Sequence, residues 1–172
     1  TGMGRTGRLW GYQHWGVEPD VMTLAKALAS GVPIGAMVAQ DKVARVMMAG
    51  THGTTFGGNP FATTVGVATF TTMLEDKLPE RADRVGTHLM QRLRALAATV
   101  PAIKEVRGKG CLIGIELDRP AGAVVDACRD RGLLVLTAGE KILRMTPPLI
   151  VDEHDADRAV AIVGDVLKQA KP

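Results

Sequence analysis

The stretch Val21–Ala39, VMTLAKALASGVPIGAMVA, holds a single charge, Lys26. An uncharged run of this length either crosses a membrane or folds back into a core. Lys26, Ser30 and the Gly31-Val32-Pro33 break interrupt it, so a membrane span is the poorer reading. The pattern predicts a short buried strand over Val21–Leu24, a turn over Gly31–Gly35 and a second apolar strand over Ala36–Ala39. The first strand delivers Lys26 at its end. A desolvated lysine is costly as a cation, so its pKa falls, and such an amine is a nucleophile towards carbonyls. The alternative is a lysine at a strand end whose ammonium simply reaches water.

The rest of the composition narrows the class. With 172 residues, 46% hydrophobic and 23% charged, the chain has the make-up of one ordinary or two small globular domains. The net charge of +3 comes with no basic stripe interleaved with aromatics, so a nucleic-acid partner is not expected. Cys111 and Cys128 have neither CxxC spacing nor neighbouring histidines. Neither a metal site nor a disulfide framework is predicted, and a reducing cytoplasm fits. The chain opens at Thr1 inside a glycine-rich loop, as a piece of a longer protein would.

Residues 1–16 read as loop, with a short ordered turn near Trp10–Trp15. Gly2-Met3-Gly4-Arg5-Thr6-Gly7 matches GxGxxG, but that motif requires a strand before it and a helix after it. Asp41–Met48 predicts a short helix. Thr51-His52-Gly53-Thr54-Thr55-Phe56-Gly57-Gly58-Asn59-Pro60 is either an anion-binding turn or a plain turn with Thr54 and Thr55 capping locally. His52 is either a base or a hydrogen-bonding strut. Pro60–Leu74 predicts a helix too apolar to face water on more than one side. From Pro79 a clearer helix carries Leu78, Ala82, Val85, Leu89, Leu93 and Leu96 on one stripe.

Beyond it, Ile103–Val106 and Cys111–Leu117 predict strands around the turn Arg107-Gly108-Lys109-Gly110, with Cys111, Ile113, Ile115 and Leu117 on one face. A helix from Pro120 to Gly132, strands at Leu133–Leu136 and Ile142–Met145, and a final helix capped by Asp152 complete an α/β or α+β unit. Arg144 lies in a short strand, facing either solvent or a carboxylate.

Three separated stretches resemble one family. Pro19-Asp20-Val21-Met22-Thr23-Leu24-Ala25-Lys26 with Gly31-Val32-Pro33-Ile34-Gly35-Ala36 resembles the Schiff-base lysine segment of class III pyridoxal-phosphate aminotransferases. His52–Pro60 resembles their glycine-rich cofactor segment, and Leu143-Arg144-Met145-Thr146-Pro147-Pro148-Leu149 their carboxylate-binding segment. The opening TGMGRTGRLWGYQHWGVEPD is similar to the loop before the lysine in the acetylornithine branch.

The resemblance implies the C-terminal part of a fold-type I transferase, with residues 1–78 ending the large cofactor domain and 79–172 forming a small α/β domain. It implies pyridoxal 5'-phosphate as cofactor, an ω-amino donor such as N-acetylornithine, 2-oxoglutarate as acceptor, and a homodimeric parent. Lys26 would form the Schiff base, Thr55 would bind the cofactor phosphate, Thr54 would lie near the substrate, and Arg144 would hold its α-carboxylate. The family's Asp-Glu-x-Gln motif would fall ahead of Thr1, so the isolated chain is expected to lack turnover. Two readings from other classes stand beside this one: a dinucleotide module on Gly2–Gly7, and a non-catalytic interaction domain in which Lys26 is structural.

Overall fold

In the computed structural model, which describes residues 1–169, the two ends of the chain create different environments. The N-terminal loop holds one 3-10 turn, Gly11–His14. No α-helix directly follows Gly2-Met3-Gly4-Arg5-Thr6-Gly7, although a dinucleotide fingerprint needs one to receive the phosphate. Strands β1 (Val21–Leu24) and β2 (Ala36–Ala39) pair antiparallel, Val21 opposite Ala39 and Leu24 opposite Ala36. Their limits match the sequence pattern, but their burial does not. Val21, Met37 and Val38 are exposed, and no residue of either strand is fully buried. A two-stranded ribbon has two faces, and the described residues cover them only in part, leaving Met22, Leu24 and Ala39 half-buried.

Helix α1 spans only Asp41–Ala44, shorter than the pattern suggested. After it the backbone tightens to i→i+3 bonds, Val46 N–H to Val43 and Met47 N–H to Ala44, before Gly50 turns to φ 85°. Helix α2 (Pro60–Glu75) starts where expected, with Asn59 rather than a threonine as its cap. The Asn59 side chain accepts from the Ala62 N–H at 2.9 Å, and Pro60 takes the first helical position. Its burial overturns the expectation of one wet face. Only Ala62 and Met73 are buried, while Phe61, Val67 and Leu74 face solvent. The apolar residues are spread round the axis, so one neighbour cannot cover them all.

The second half follows its pattern closely. Helix α3 (Leu78–Ala97) buries Leu78, Ala82, Val85, Leu89 and Leu93 on one stripe. Strands β3 (Ile103–Lys109) and β4 (Leu112–Leu117) form a hairpin, helix α4 (Gly122–Arg129) follows, and β5 (Leu136–Thr137), β6 (Ile142–Met145) and helix α5 (Glu153–Gln169) complete the unit. The sheet order is β3-β4-β6-β5, antiparallel throughout, which settles the α/β versus α+β alternative as α+β for this unit. Asp152 caps α5, accepting from the Asp155 N–H at 2.8 Å. The strand expected over Leu133–Leu136 is reduced to β5 because Leu133 serves the end of α4. Its N–H returns to the Cys128 carbonyl across Gly132, which has φ 79°.

Helices α3 and α5 cover one face of the sheet, where Ile113, Ile115, Leu117 and Leu143 are essentially inaccessible. A second, smaller cluster joins Met3, Met73 and Leu78, with Trp10, Leu28, Phe70 and Leu149 packed around it. Cys111, expected as the first residue of the strand, instead lies in the hairpin turn just before β4, fully buried, its thiol 3.7 Å from the Ala82 carbonyl. Burial pushes that thiol's pKa up, against an opposing pull from Arg5. The thiolate is the reactive form, so Cys111 should resist iodoacetamide at pH 8 in the folded chain and react once urea unfolds it. Mass spectrometry of the alkylated peptide reads this directly; rapid labelling of the native chain would contradict the burial.

Candidate functional site

Lys26 opens a 3-10 turn, Lys26–Ala29, directly after β1. Ala25 is extended, Lys26 adopts φ 54° and Ser30 adopts φ 48°. Two non-glycine residues in the left-handed region cost roughly 1–2 kcal/mol each, so the surrounding contacts must hold them there. Those contacts are visible. Ala29 is fully buried, Leu28 belongs to the smaller apolar cluster, and the turn rests on α2. Gly66 of α2 faces the turn, a Cβ built there lying in ordinary contact with the Leu28 carbonyl oxygen at 3.6 Å. The side chain of Lys26 itself is exposed. The desolvated lysine expected from the apolar run is therefore not present in this chain, for the same reason that the hairpin is only partly covered: the run's own residues do not fold over it.

Thr54 and Thr55 lie in an exposed segment without regular structure. The Thr54 methyl packs on Gly57, where even a Cβ would collide with it. Neither hydroxyl makes a hydrogen bond among the described residues. Thr54 shares an open cavity of about 550 Å³ with Val32–Gly35, so the turn that follows Lys26 and the threonine segment meet there. His52 is exposed and pairs through Nδ1 with the Thr51 hydroxyl at 3.2 Å, a local strut.

Arg144 is on β6, opposite Gly114 of β4 and Leu136 of β5. Leu143 and Met145 point into the core, so Arg144 and Ile142 lie on the other sheet face, half-buried. The Arg144 Nε is buried and has no hydrogen-bond partner. A buried guanidinium N–H without an acceptor is costly, and its planar edge has the geometry to take a carboxylate.

Arg5 received no role from the sequence, yet it ties these pieces together. It is half-buried, and its Nη1 donates to the carbonyls of Pro147 and Cys111, while the Cys111 N–H donates back to the Arg5 carbonyl at 2.9 Å. Burial lowers its pKa, with Cys111 acting in the opposite sense. A pocket of about 590 Å³ is walled by Gly2, Met3 and Arg5, by Ala27 and Ser30 beside Lys26, and by Pro148–Ile150 just beyond Arg144. The loop, the lysine turn and the arginine segment thus border one space. Lys26, Thr55 and Arg144 do not themselves line it. The sequence signal for Arg5 was its setting, between Gly4 and Gly7, where backbones approach closely.

The sequence profile of the aminotransferase class-III family matches residues 1–167. The chain belongs to the class III aminotransferases. It is 42% identical over 167 residues to acetylornithine aminotransferase of Methanothermobacter thermautotrophicus, covering 97% of this chain and 43% of that protein. Acetylornithine aminotransferase 1 of Bordetella bronchiseptica is 46% identical over 169 residues, covering 98% and 43%. Among solved structures, acetylornithine aminotransferase from Elizabethkingia anophelis superposes with a TM-score of 0.92 at 33% identity, covering 99% of this chain and 44% of that one.

An ornithine aminotransferase from Toxoplasma gondii, described with partial occupancy of PLP at its active site, gives 0.92 at 36% identity, covering 98% and 41%. The chain thus spans less than half the length of the relatives it matches, in their C-terminal portion. Pyridoxal 5'-phosphate is the cofactor of the family. The family's cofactor requires an amine for its aldehyde and donors for its phosphate. The exposed amine of Lys26 and the unengaged hydroxyl of Thr55 fit those needs. Among the described residues no helix is long and apolar enough to cross a membrane.

Proposed function

We propose that this chain is the lysine-bearing portion of a cytoplasmic transaminase that moves an amino group from N-acetylornithine, or a similar ω-amino substrate, to 2-oxoglutarate. The observation that carries the reading is the buried, unpartnered Nε of Arg144, on the half-buried outer face of β6. A planar guanidinium left incomplete in this way suits the α-carboxylate that both proposed substrates carry. The 42–46% identity to acetylornithine aminotransferases supports the donor class. A second reading takes ornithine as donor, favoured by the fit to the Toxoplasma gondii ornithine aminotransferase.

Within this reading each residue has a defined part. Lys26 Nζ would hold the cofactor, and would accept and return the proton at the amine-bearing carbon of the substrate. Thr55 would bind the cofactor phosphate of a neighbouring subunit in a homodimer, and Thr54 would stand beside the substrate. Arg144 would orient the substrate through its carboxylate. Bound pyridoxal phosphate supplies the electron sink for the deprotonated carbon. Residues 1–78 would close the large domain and 79–172 would form the small one, a division supported by the two separate apolar clusters.

Borohydride trapping tests the lysine. Pyridoxal phosphate is added to the 172-residue chain, the adduct is reduced, and the labelled peptide is located by mass. Labelling at Lys26 that Lys26→Ala abolishes is the expected result. The same sample given N-acetylornithine and 2-oxoglutarate should show no turnover, because the exposed Lys26 lacks the enclosure that transamination needs. Label distributed over several surface lysines would overturn the reading and favour a non-catalytic interaction domain.

A further inference from the structure

The outer face of the four-stranded sheet carries two adjacent rows of residues. One row runs Arg107, Gly114, Arg144, Leu136 across β3, β4, β6 and β5. The next runs Glu105, Glu116, Ile142. Glu116 is therefore the diagonal neighbour of Arg144. Diagonal positions on paired strands lie about 7–8 Å apart, within reach of an arginine and a glutamate side chain. Gly114, directly opposite Arg144, offers no side chain that would fill the space beside its guanidinium.

An Arg144–Glu116 pair would be the obvious local outcome, yet it does not form. Arg107 intervenes. Its Nη1 donates to Glu116 Oε2 at 2.8 Å and to Glu105 Oε2 at 2.6 Å, so one guanidinium binds both carboxylates of the face. Arg144 is left without a hydrogen bond or ion pair from its guanidinium among the described residues, its Nε buried.

We propose that Arg107 is a positioning residue: by clamping Glu116 it keeps Arg144 unpaired and open to the carboxylate of a small-acid ligand. This rests on the reading of Arg144 as a carboxylate site. Without the clamp, Glu116 would turn along the sheet and occupy Arg144 as an internal competitor. The cost to a ligand would then equal the strength of one partly exposed ion pair, about fivefold in affinity.

The test uses glutarate as the probe and the 172-residue chain, with the Arg144 Nε–H signal followed by ¹H–¹⁵N correlation and assigned through Arg144→Lys. In the wild-type chain the signal should shift saturably with glutarate. Arg107→Met should weaken binding about fivefold and displace the ligand-free Arg144 signal, as a new internal acceptor reaches it. Arg107→Met/Glu116→Gln should restore the wild-type affinity, because the competitor is then uncharged. A purely structural role for Arg107 would not be rescued by Glu116→Gln. Wild-type affinity in Arg107→Met, or a double variant no tighter than the single one, overturns the clamp alone. Absence of any glutarate-dependent shift in the wild-type chain overturns the carboxylate reading of Arg144 itself.

Discussion

Gly86→Ala should destabilise the chain by about 3 kcal/mol or more, read as a lower urea midpoint at unchanged slope. The sign is the informative part. Gly86 lies inside α3, and glycine in a helix interior is ordinarily worse than alanine by roughly 0.5–1 kcal/mol. A helix considered alone therefore predicts a gain. The structure reverses it, because a Cβ at Gly86 would overlap the carbonyl of Gly110 and lie 2.7 Å from its Cα.

Gly110 cannot retreat. It is buried with φ 52°, and a Cβ on it would meet the backbone of Arg5–Gly7 at 2.5–2.7 Å. Helix, hairpin turn and N-terminal loop are thus stacked backbone on backbone, with no flexible side chain to yield. Gly122→Ala is the control, since nothing lies within 4 Å of a Cβ there. It should leave the midpoint unchanged or raise it slightly. A stable Gly86→Ala variant would mean that the three backbones do not meet.

Ile115→Ala should cost about 2–5 kcal/mol. Ile115 is at the centre of β4, opposite Val106 on one side and Leu143 on the other, and is wholly buried beneath the two long helices. Removing it deletes several methyl groups from a site that strands on both sides prevent from collapsing. The effect should reach beyond stability. Ile115 pairs with Leu143, the residue before Arg144, so a looser β6 should broaden the Arg144 Nε–H signal. An Ile115→Val variant removes one methylene and should lose only about 0.5–1.5 kcal/mol. Equal losses from the two variants would show that the site relaxes freely.

The sequence was most legible where one face is buried and the period is regular. Alternation at Ile113, Ile115 and Leu117, the three-to-four spacing from Leu78 to Leu93, and the Asp152 cap each specify an element with its core side, because the partner layers lie within this chain. The family was also written there, in residues around Lys26, His52–Pro60 and Arg144. The first half was legible in outline only. Its strand limits followed from the Gly31–Gly35 break, but burial did not, because apolar content says that a surface wants cover and not where the cover comes from. Lys26, Met37, Phe56 and Val67 are exposed for that reason.

Sequence by itself determined the elements, their polarity of burial in the second half, and the residue types available for an amine, a hydroxyl and a guanidinium. Tertiary structure alone decided three things. It set the close approach of Gly86, Gly110 and the Arg5–Gly7 backbone, which reverses the ordinary rule for glycine in a helix. It set the left-handed backbone at Lys26 and Ser30, held by Ala29 and Leu28 against α2. And it set the pairing register that places Arg107, Gly114 and Arg144 in one row. Each depends on atoms far apart in the chain, and residue type and periodicity encode local preference only; the distances between elements follow from how their surfaces fit.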